Sequence, residues 1–594
     1  MMTSSSADSI AGQGANPTRP AEAQSTFAAT TMFNGTTMHE KGGVAQNIKG
    51  KTLLGDEVDI ESNRTTGRYS SKAQLIDQAM LGVGMGWYHW RLLIVTAMAW
   101  FLDYFWMKSF TIIAPAASNE AQFYYTYNRE GYLFVSQFAG LALGSLVWAI
   151  MADYSGRSWI FTSTLALAGV GGLVGAGMPA YTGLCILGFI VGAAIGGNQA
   201  VDAMLLIESL PVSHHYLLAM QGAFWAIGSL VASLIGWTFT EQYTCGTYAT
   251  AAATTTSGSA SASSSTATAT AAAGHTHTAR DIVEVAARQF YDLAAEGSEG
   301  ISASGNSSCH YVSNKGWRYI WWTFGCITLF FYLLRFLVRF YESPKYLAAK
   351  GRDAEAAQVV KDIALANKSS TFLAESHFAQ VNSQTDEPSP RAVIVPSLSV
   401  RIAPLLFLWA IIGITYPIWT NYIETYIYSK GVLEVTPTTV TTNYLYKRYV
   451  YIALAGIPGP IVAAIMAEVP FLGRKFTGLI LSALTGIFMF VSVTSRSDGA
   501  WLGWSCVLSF LYFAQIALLI LFTVECIPSP IRGHGLGLNL FVWRFFGMIA
   551  AIVTTFAGTK ISAGAPVYVS GALSIVAAGV WVITPRETRA KAAQ

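Results

Sequence analysis

Asp103 stands in the run Trp100-Phe-Leu-Asp-Tyr-Phe-Trp106, with no other charged residue between Arg91 and Lys108. A carboxylate in such company has lost its water, so it either bonds a neighbouring helix or takes up a proton; a group that alternates between the two can carry protons. Arg544 follows Trp543 in an equally apolar run. A guanidinium placed there can grip a carboxylate or phosphate with two N–H groups, or neutralise Asp103. Gly192-Ala-Ala-Ile-Gly196-Gly197-Asn198-Gln-Ala-Val-Asp202 sets Asn198 and Asp202 four apart on one helix face, so that one can meet a solute while the other bonds a neighbour. Tyr416-Pro417-Ile-Trp419-Thr-Asn421-Tyr422-Ile-Glu424 collects aromatic rings with polar edges around Asn421 and Glu424. Tyr422 and its neighbours suit stacking on a polar solute, while Tyr426 and Tyr428 equally fit an interfacial aromatic belt. Gln137, Gln221, Gln515 and Asn539 are the remaining amides in apolar runs, each either a solute contact or a helix-to-helix hydrogen bond.

The elements that hold these residues must cross lipid. Hydrophobic residues make up 53% of the 594 and charged ones 12%, half the share usual in soluble domains, and mean hydropathy is +0.43. At roughly 20 residues per crossing, the apolar runs divide into twelve helices. The first six are expected at 91–115, 131–151, 159–178, 181–208, 216–239 and 316–340, the second six at 401–427, 447–467, 476–494, 501–526, 534–557 and 562–583. The two sixes repeat one another. Gly156-Arg157 recurs as Gly473-Arg474, and Glu208-x-x-Pro211 as Glu525-x-x-Pro528, each 317 positions on (157 to 474, 208 to 525). Parallel duplication of this kind is a standard construction of secondary transporters. Pro470 stands where Asp153 would repeat, with Glu468 nearby, and His215 where Arg532 would.

The segments outside the spans carry their own expectations. Residues 1–90 are polar, lack a cleavable leader and are expected to be a disordered cytosolic tail. Residues 341–400, with Lys345, Lys350, Arg352, Asp353, Glu355, Lys361 and Asp362, read as a cytosolic linker, and 584–594 as a cytosolic tail with Arg586. The loop 240–315 contains the Thr/Ala/Ser tract 247–279, too poor in large apolar residues to form a core. It is bracketed by Cys245 and Cys309 and includes the sequon at Asn306, which suit an extracytoplasmic loop with a disulfide and a glycan; two thiols and a chance sequon are the plainer reading. Lys430, Lys447, Arg448, Arg496 and Lys560 fall on the side so assigned to the outside, against the usual charge bias, so orientation rests on the cysteine loop, the basic residues of 41–91, the linker and the tail. A net charge of +3 gives no reason to expect nucleic acid. His275-x-His277 is too sparse for a metal site, and no metal or cofactor is expected.

Three motifs in their loops make a resemblance specific. Asp153-Tyr-Ser-Gly156-Arg157 follows the second span, Glu342-Ser-Pro-Lys-Tyr-Leu347 with Lys350-Gly-Arg352 the sixth, and Glu525-Cys-Ile-Pro528 with Arg532-Gly-His-Gly535 the tenth. In that order they resemble the major facilitator superfamily, nearest in form to sugar porters and synaptic-vesicle-2-related transporters, over about residues 85–585. The resemblance implies an all-α fold of two six-helix bundles. It also implies that Asp153, Arg157, Glu208, Glu342, Arg474, Glu525, Arg532 and Arg586 hold the bundles together on the cytosolic side when the protein faces outward; alternatively these residues only fix helix ends. It places Arg544 at a point of span eleven that faces the central cavity. Sugar porters usually carry an Arg where Gly188 stands here, and phosphate porters an Asp where Asn198 stands.

The expected function is therefore secondary active transport by alternating access, as proton-coupled symport of a sugar or small organic acid, by a monomer in the plasma membrane. A phosphate or other anion porter is the alternative substrate class, and a non-transporting nutrient sensor the alternative function. Such sensors tend to carry long signalling tails, whereas only 584–594 follow the last span here. No phosphate-cradling Gly-x-x-x-x-Gly-Lys-Ser/Thr loop supports an enzyme or a primary pump.

Overall fold

A computed structural model describes residues 53, 68–124, 130–244, 314–336, 341–384, 390–422, 442–557, 565–584 and 588. All regular structure among them is helical. Helix α1 (Arg68–Val83) precedes the first bundle, which comprises α2 (Trp87–Tyr124), α3 (Glu130–Ser155), α4 (Arg157–Ala176), α5 (Tyr181–Ser209), the consecutive pair α6 (Tyr216–Met220) and α7 (Ala223–Tyr243), and α8 (Gly316–Arg335). Three linker helices follow: α9 (Pro344–Ala349), α10 (Asp353–Ala366) and α11 (Glu375–Gln384). The second bundle comprises α12 (Pro390–Pro417), the pair α13 (Thr442–Gly456) and α14 (Pro458–Glu468), α15 (Gly473–Ser492), α16 (Asp498–Cys526), α17 (Arg532–Ala557) and α18 (Ala565–Ile583). Counting each pair as one span, these are the twelve crossings in two sets of six. Among the described residues ten crossings qualify for a bilayer by length and hydropathy alone. The other two, α2 and α8, are rich in Trp and Tyr, which score low on hydropathy yet belong in membrane helices.

Small residues set the closest approaches. Gly140, Gly144, Gly192 and Gly196 bring α3 and α5 backbone to backbone; a methyl on Gly144 would run into the Ala193 carbonyl, and one on Gly196 into that of Leu141. Lipid offers no hydrophobic drive between helices, so this intimate van der Waals contact is what holds them. Within the second bundle α15 packs on α18 in the same way that α4 packs on α8 in the first. The bundles meet along α3 with α17, α7 with α13, and α6 with α14. Gly156 and Gly473 both sit at positive φ, 97° and 59°, where each chain reverses before the helix that begins at the following Arg or at the glycine itself. This is the backbone reason for the duplicated Gly-Arg.

Three boundaries differ from expectation. Span one runs on from 115 to Tyr124 straight through Pro115. The extra length is held by the buried Glu120, which accepts hydrogen bonds from Arg318 Nη2 at 2.7 Å, Arg318 Nη1 at 2.9 Å and Trp317 Nε1 at 2.9 Å. Span seven stops being α-helical at Pro417 and continues as a single π-helical turn, Ile418–Tyr422, consistent with the proline removing a backbone donor. The tail expected to be disordered over 1–90 contains α1. Ile76, Ala79 and Met80 of that helix are buried, and α1 packs on α9, α10 and α11. At 16 residues with a modest apolar stripe, it is too short and too polar to read as a membrane span.

Charge anchors α1 to the linker. Lys72 Nζ lies 2.8 Å from Asp353, which also accepts from Asn382 at 3.1 Å, and Lys345 Nζ lies 2.5 Å from Asp77. Asp77 and Lys345 are both enclosed, and burial pushes the Asp77 carboxyl up from its ordinary range and the Lys345 ammonium down, in each case against the attraction of the partner. Both shifts oppose ionisation, so the pair fixes register more than it adds stability. Lys345→Met alone is expected to destabilise the protein by about 3–5 kcal/mol by stranding Asp77, whereas Lys345→Met combined with Asp77→Asn should recover most of that loss. Thermal unfolding of the purified protein in detergent reads both; equal losses in the single and double variants would contradict the assignment.

Candidate functional site

At mid-depth the polar residues converge from four spans. Asp103 (α2), Asn198 and Asp202 (α5) are all buried, and the Asn198 amide nitrogen donates to Asp202 Oδ2 at 3.2 Å and, more weakly, to Asp103 Oδ1 at 3.4 Å. Thr164 of α4 closes the set, its hydroxyl 3.4 Å from Asn198 Oδ1. Asp103 Oδ2 and Asp202 Oδ1 are left without a hydrogen-bond partner. Two carboxyl groups therefore share one amide with no cation in ion-pair contact. Between them they can hold a proton that either would otherwise lack water to stabilise against.

Arg544 approaches from the other bundle. Its guanidinium donates to Gln199 Oε1 at 2.8 Å, points Nη1 at Met107 Sδ at 3.2 Å and lies 3.5 Å from the centre of the Trp543 ring. Among the described residues no carboxylate pairs with it, and Nε has no acceptor. Arg544 makes no ion-pair contact with Asp103, although the two charges are close enough to attract one another. Gln199, not singled out in the sequence, sits between Asn198 and Asp202 but faces the second bundle rather than sharing their i, i+4 face. Around this point Tyr416 stacks on Tyr512 at 4.2 Å, Tyr104 meets Phe513 at 5.0 Å and Tyr416 at 6.2 Å, and Trp409 meets Trp543 at 5.1 Å.

The other amides divide. Gln515 donates to Ser482 at 2.5 Å and Asn539 to the Gly535 carbonyl at 2.7 Å, so both are engaged within the second bundle. Gln221 accepts from Thr96 at 3.3 Å, and Gln137 is buried beside the α3–α5 contact. The side chains of Asn421 and Tyr422, and Glu424, Arg586, Cys245, Asn306, Cys309 and the tract 247–279 altogether, lie outside the described residues.

A second constellation occupies the end of the bundles that carries the linker. Glu208, at the end of α5, takes Arg157 of its own bundle on one oxygen and Arg532 of the other bundle on the second, the latter at 2.5 Å. Arg157 also donates to the Ser529 carbonyl at 3.2 Å, and Asp153 receives the first backbone N–H groups of α17, from Gly533 at 3.2 Å and His534 at 3.0 Å. An acid at a helix start is favourably placed against the helix dipole. Glu342 does the same for α4, accepting from Arg157 N at 3.1 Å and Ser158 N at 3.3 Å. In the second repeat Arg474 spans Glu525 at 3.2 Å and Glu468 at 2.8 Å. Glu468 thereby supplies the carboxylate that Pro470 lacks. His215 lies 4.0 Å from Glu525, the counterpart of Arg532 on Glu208. Asp153, Arg157, Glu208, Glu342 and Arg532 are thus brought into one cluster that ties the bundles, and Arg474 and Glu525 form its mirror. Among the described residues the opposite end is tied by a hydrogen bond between Thr240 and Tyr446 at 3.0 Å and by Lys108 over the Tyr449 ring at 3.6 Å.

Comparisons with known proteins agree with this architecture. The family described as Major Facilitator Superfamily matches residues 308–551, and that described as Sugar (and other) transporter matches 58–253. The chain is similar to "MFS siderochrome iron transporter 1" of Ceriporiopsis subvermispora, 31% identical over 88% of this chain and 92% of that one, and to "Niacin transporter NiaP" of Acinetobacter baylyi, 23% identical over 85% and 96%. Among solved structures the proton:xylose symporter XylE bound to 6-bromo-6-deoxy-D-glucose shares the fold, with a TM-score of 0.59 at 14% identity, over 85% of this chain and 98% of that one. Two pseudo-repeated six-helix bundles joined by the linker-end charge cluster, together with the length of the match to the siderochrome transporter, establish that this chain belongs to the major facilitator superfamily of membrane transporters.

Proposed function

We propose that the protein is a proton-coupled symporter that carries a small organic anion, bound at mid-depth through Arg544. The observation that carries this reading is the buried guanidinium of Arg544 without a carboxylate partner. A cation in that position is costly unless an anion joins it, and a bidentate carboxylate fits the planar fork. A neutral sugar would leave the charge as it is. Niacin, named for one of the relatives, is a monocarboxylic acid, which supports the same class. The fork suits phosphate too, but the rings of Tyr416, Tyr512 and Trp543 around it favour an organic body.

Asp103 and Asp202 form the proton site in this reading. With the proton on the pair and the anion on Arg544, the loaded centre holds fewer unpaired charges than the empty one, so proton and solute load together. The linker face, tied through Glu208, is taken as cytosolic. Breaking those ties and the ones at the opposite end in turn gives alternating access. The region 245–309 is then extracytoplasmic, where a Cys245–Cys309 disulfide and a glycan on Asn306 would be compatible with its compartment.

Uptake by the reconstituted protein of labelled monocarboxylates, sugars and phosphate, with and without an imposed pH gradient, tests the reading. Arg544→Gln loses a charge-assisted contact worth about 1.5–3 kcal/mol and should weaken the organic anion by about one to two orders of magnitude while moving a neutral solute little. A wild-type protein that accumulates sugar but not carboxylates would overturn the anion. Asp103→Asn should abolish accumulation against a gradient yet leave exchange measurable, because the amide imitates the protonated acid; pH-driven accumulation retained in both Asp103→Asn and Asp202→Asn would remove the pair from coupling. Glu208→Gln removes the carboxylate that Arg157 and Arg532 share and should cost the closed linker face about 3–5 kcal/mol, seen as a lengthened spin-label distance across that face. An unchanged distance would reduce the cluster to a topological role.

A further inference from the structure

The 317-residue repeat makes the two halves of the linker-end cluster directly comparable, and they are not equivalent. Glu208 receives the permanent cation Arg532 from across the interface, whereas its counterpart Glu525 faces His215, a base that titrates near neutral pH. His215 is buried, neither ring nitrogen has a hydrogen-bond partner, and it follows directly on the short 3₁₀ turn Val212–His214 that α1 packs against.

Every acid near it is already matched. Glu525 is held by Arg474 and by the Thr588 hydroxyl at 2.5 Å, Glu468 by the same Arg474, Glu208 by Arg157 and Arg532, and Asp77 by Lys345. Lys345 from α9, Arg474 from α15, Arg532 from α17 and His214 on its own segment surround the ring as positive or titrating neighbours. A proton arriving on His215 in the closed cluster would be a surplus cation in an enclosed space. Once the linker face opens, the ring meets water and regains an ordinary affinity for protons, with half-protonation near pH 6.5.

We infer that His215 is a second proton-binding site of the transport cycle, which takes up its proton when the linker face opens and gives it up when that face closes. The inference rests on the alternating-access reading above and adds a site that is separate from Asp103 and Asp202. Its sense follows from linkage: the state that binds the proton is favoured as pH falls, so acid on the linker side shifts the protein toward opening there. Besides His214, the cluster contains the His534 ring, 2.7 Å from Asp153. It must be removed for His215 to be read alone.

The test uses the full-length chain in lipid nanodiscs with native cysteines replaced, His534→Gln in every sample, and nitroxides at Trp159→Cys and Phe471→Cys, two exposed positions at the linker ends of the two bundles. Pulsed electron-spin distances give the ratio of open to closed molecules. With His215 present, the ratio is expected to rise by about tenfold between pH 7.5 and 5.5, the most that one ordinary histidine gives over that interval. His215→Gln should remove that rise and leave only the response due to Asp103 and Asp202, which both samples share. An equal rise in His215→Gln, or a flat or falling ratio in the parent, overturns the inference; the parent result alone decides if the variant fails to fold. A single unchanging distance in all samples, Glu208→Gln included, would overturn alternating access itself.

Discussion

A charge that has left water must find an opposite charge, a proton or a dipole, and the protein distributes those three solutions by depth. At the linker end the solution is the opposite charge: Glu208 lies between Arg157 and Arg532, one guanidinium from each bundle. At mid-depth it is withheld. Asp103 and Asp202 share an amide, and Arg544 makes do with Gln199, a thioether and an aromatic face. The saturated cluster holds a shape, while the unsaturated one has capacity for something that arrives from outside. Buried ion pairs contribute little net stability because desolvation offsets attraction. In the alternating-access reading proposed above, that suits a contact that forms and breaks, since its partners regain water when they separate.

The fold was readable in the sequence because lipid enforces simple rules. Apolar length gives the spans, and duplicated Gly-Arg and Glu-x-x-Pro mark repeats whose positive-φ turns the structure confirms at Gly156 and Gly473. The residues of the linker-end cluster were named by the family resemblance, but their pairings were not. What failed was anything set by partners distant in sequence. Nothing local shows that Glu120 will be clamped by Arg318 and so carry span one through Pro115, or that α1 will fold against the linker, with Lys72 on Asp353 281 positions away (353 − 72 = 281). One basic residue on the side expected to be outside has the same origin. Arg448 is tied to Asp498 and Tyr444 and is a structural cation, invisible as such in a tally of loop charges.

At the site the residue types were legible and the wiring was not. Asp103, Asn198, Asp202 and Arg544 stand out because polarity in an apolar run is rare. Which of them touch depends on the angle at which α5 passes α2 and α17. Helical spacing fixes only neighbours on one helix, so Gln199, whose importance is its contact across the interface, carried no signal beyond its neighbours'. The reach of Arg532 to Glu208 rather than to its own repeat's Glu525 is likewise a property of the pseudo-twofold packing.

Two spans are interrupted, and the interruptions face one another. Span five breaks at Gln221-Gly222 between α6 and α7, and span eight at Ile457-Pro458 between α13 and α14. At each break the backbone bonds shorten to three-residue steps, and Gly222 rests against Pro460 and Ala517 of the opposite bundle. A helix bends most cheaply where its regular ladder is already cut. The short pieces α6 and α14 can therefore tilt together as a pair of stubs while α7 and α13 keep their grip above them. Bending at these breaks would move the linker end of each span, Glu468 at the end of α14 included, without requiring whole bundles to rock.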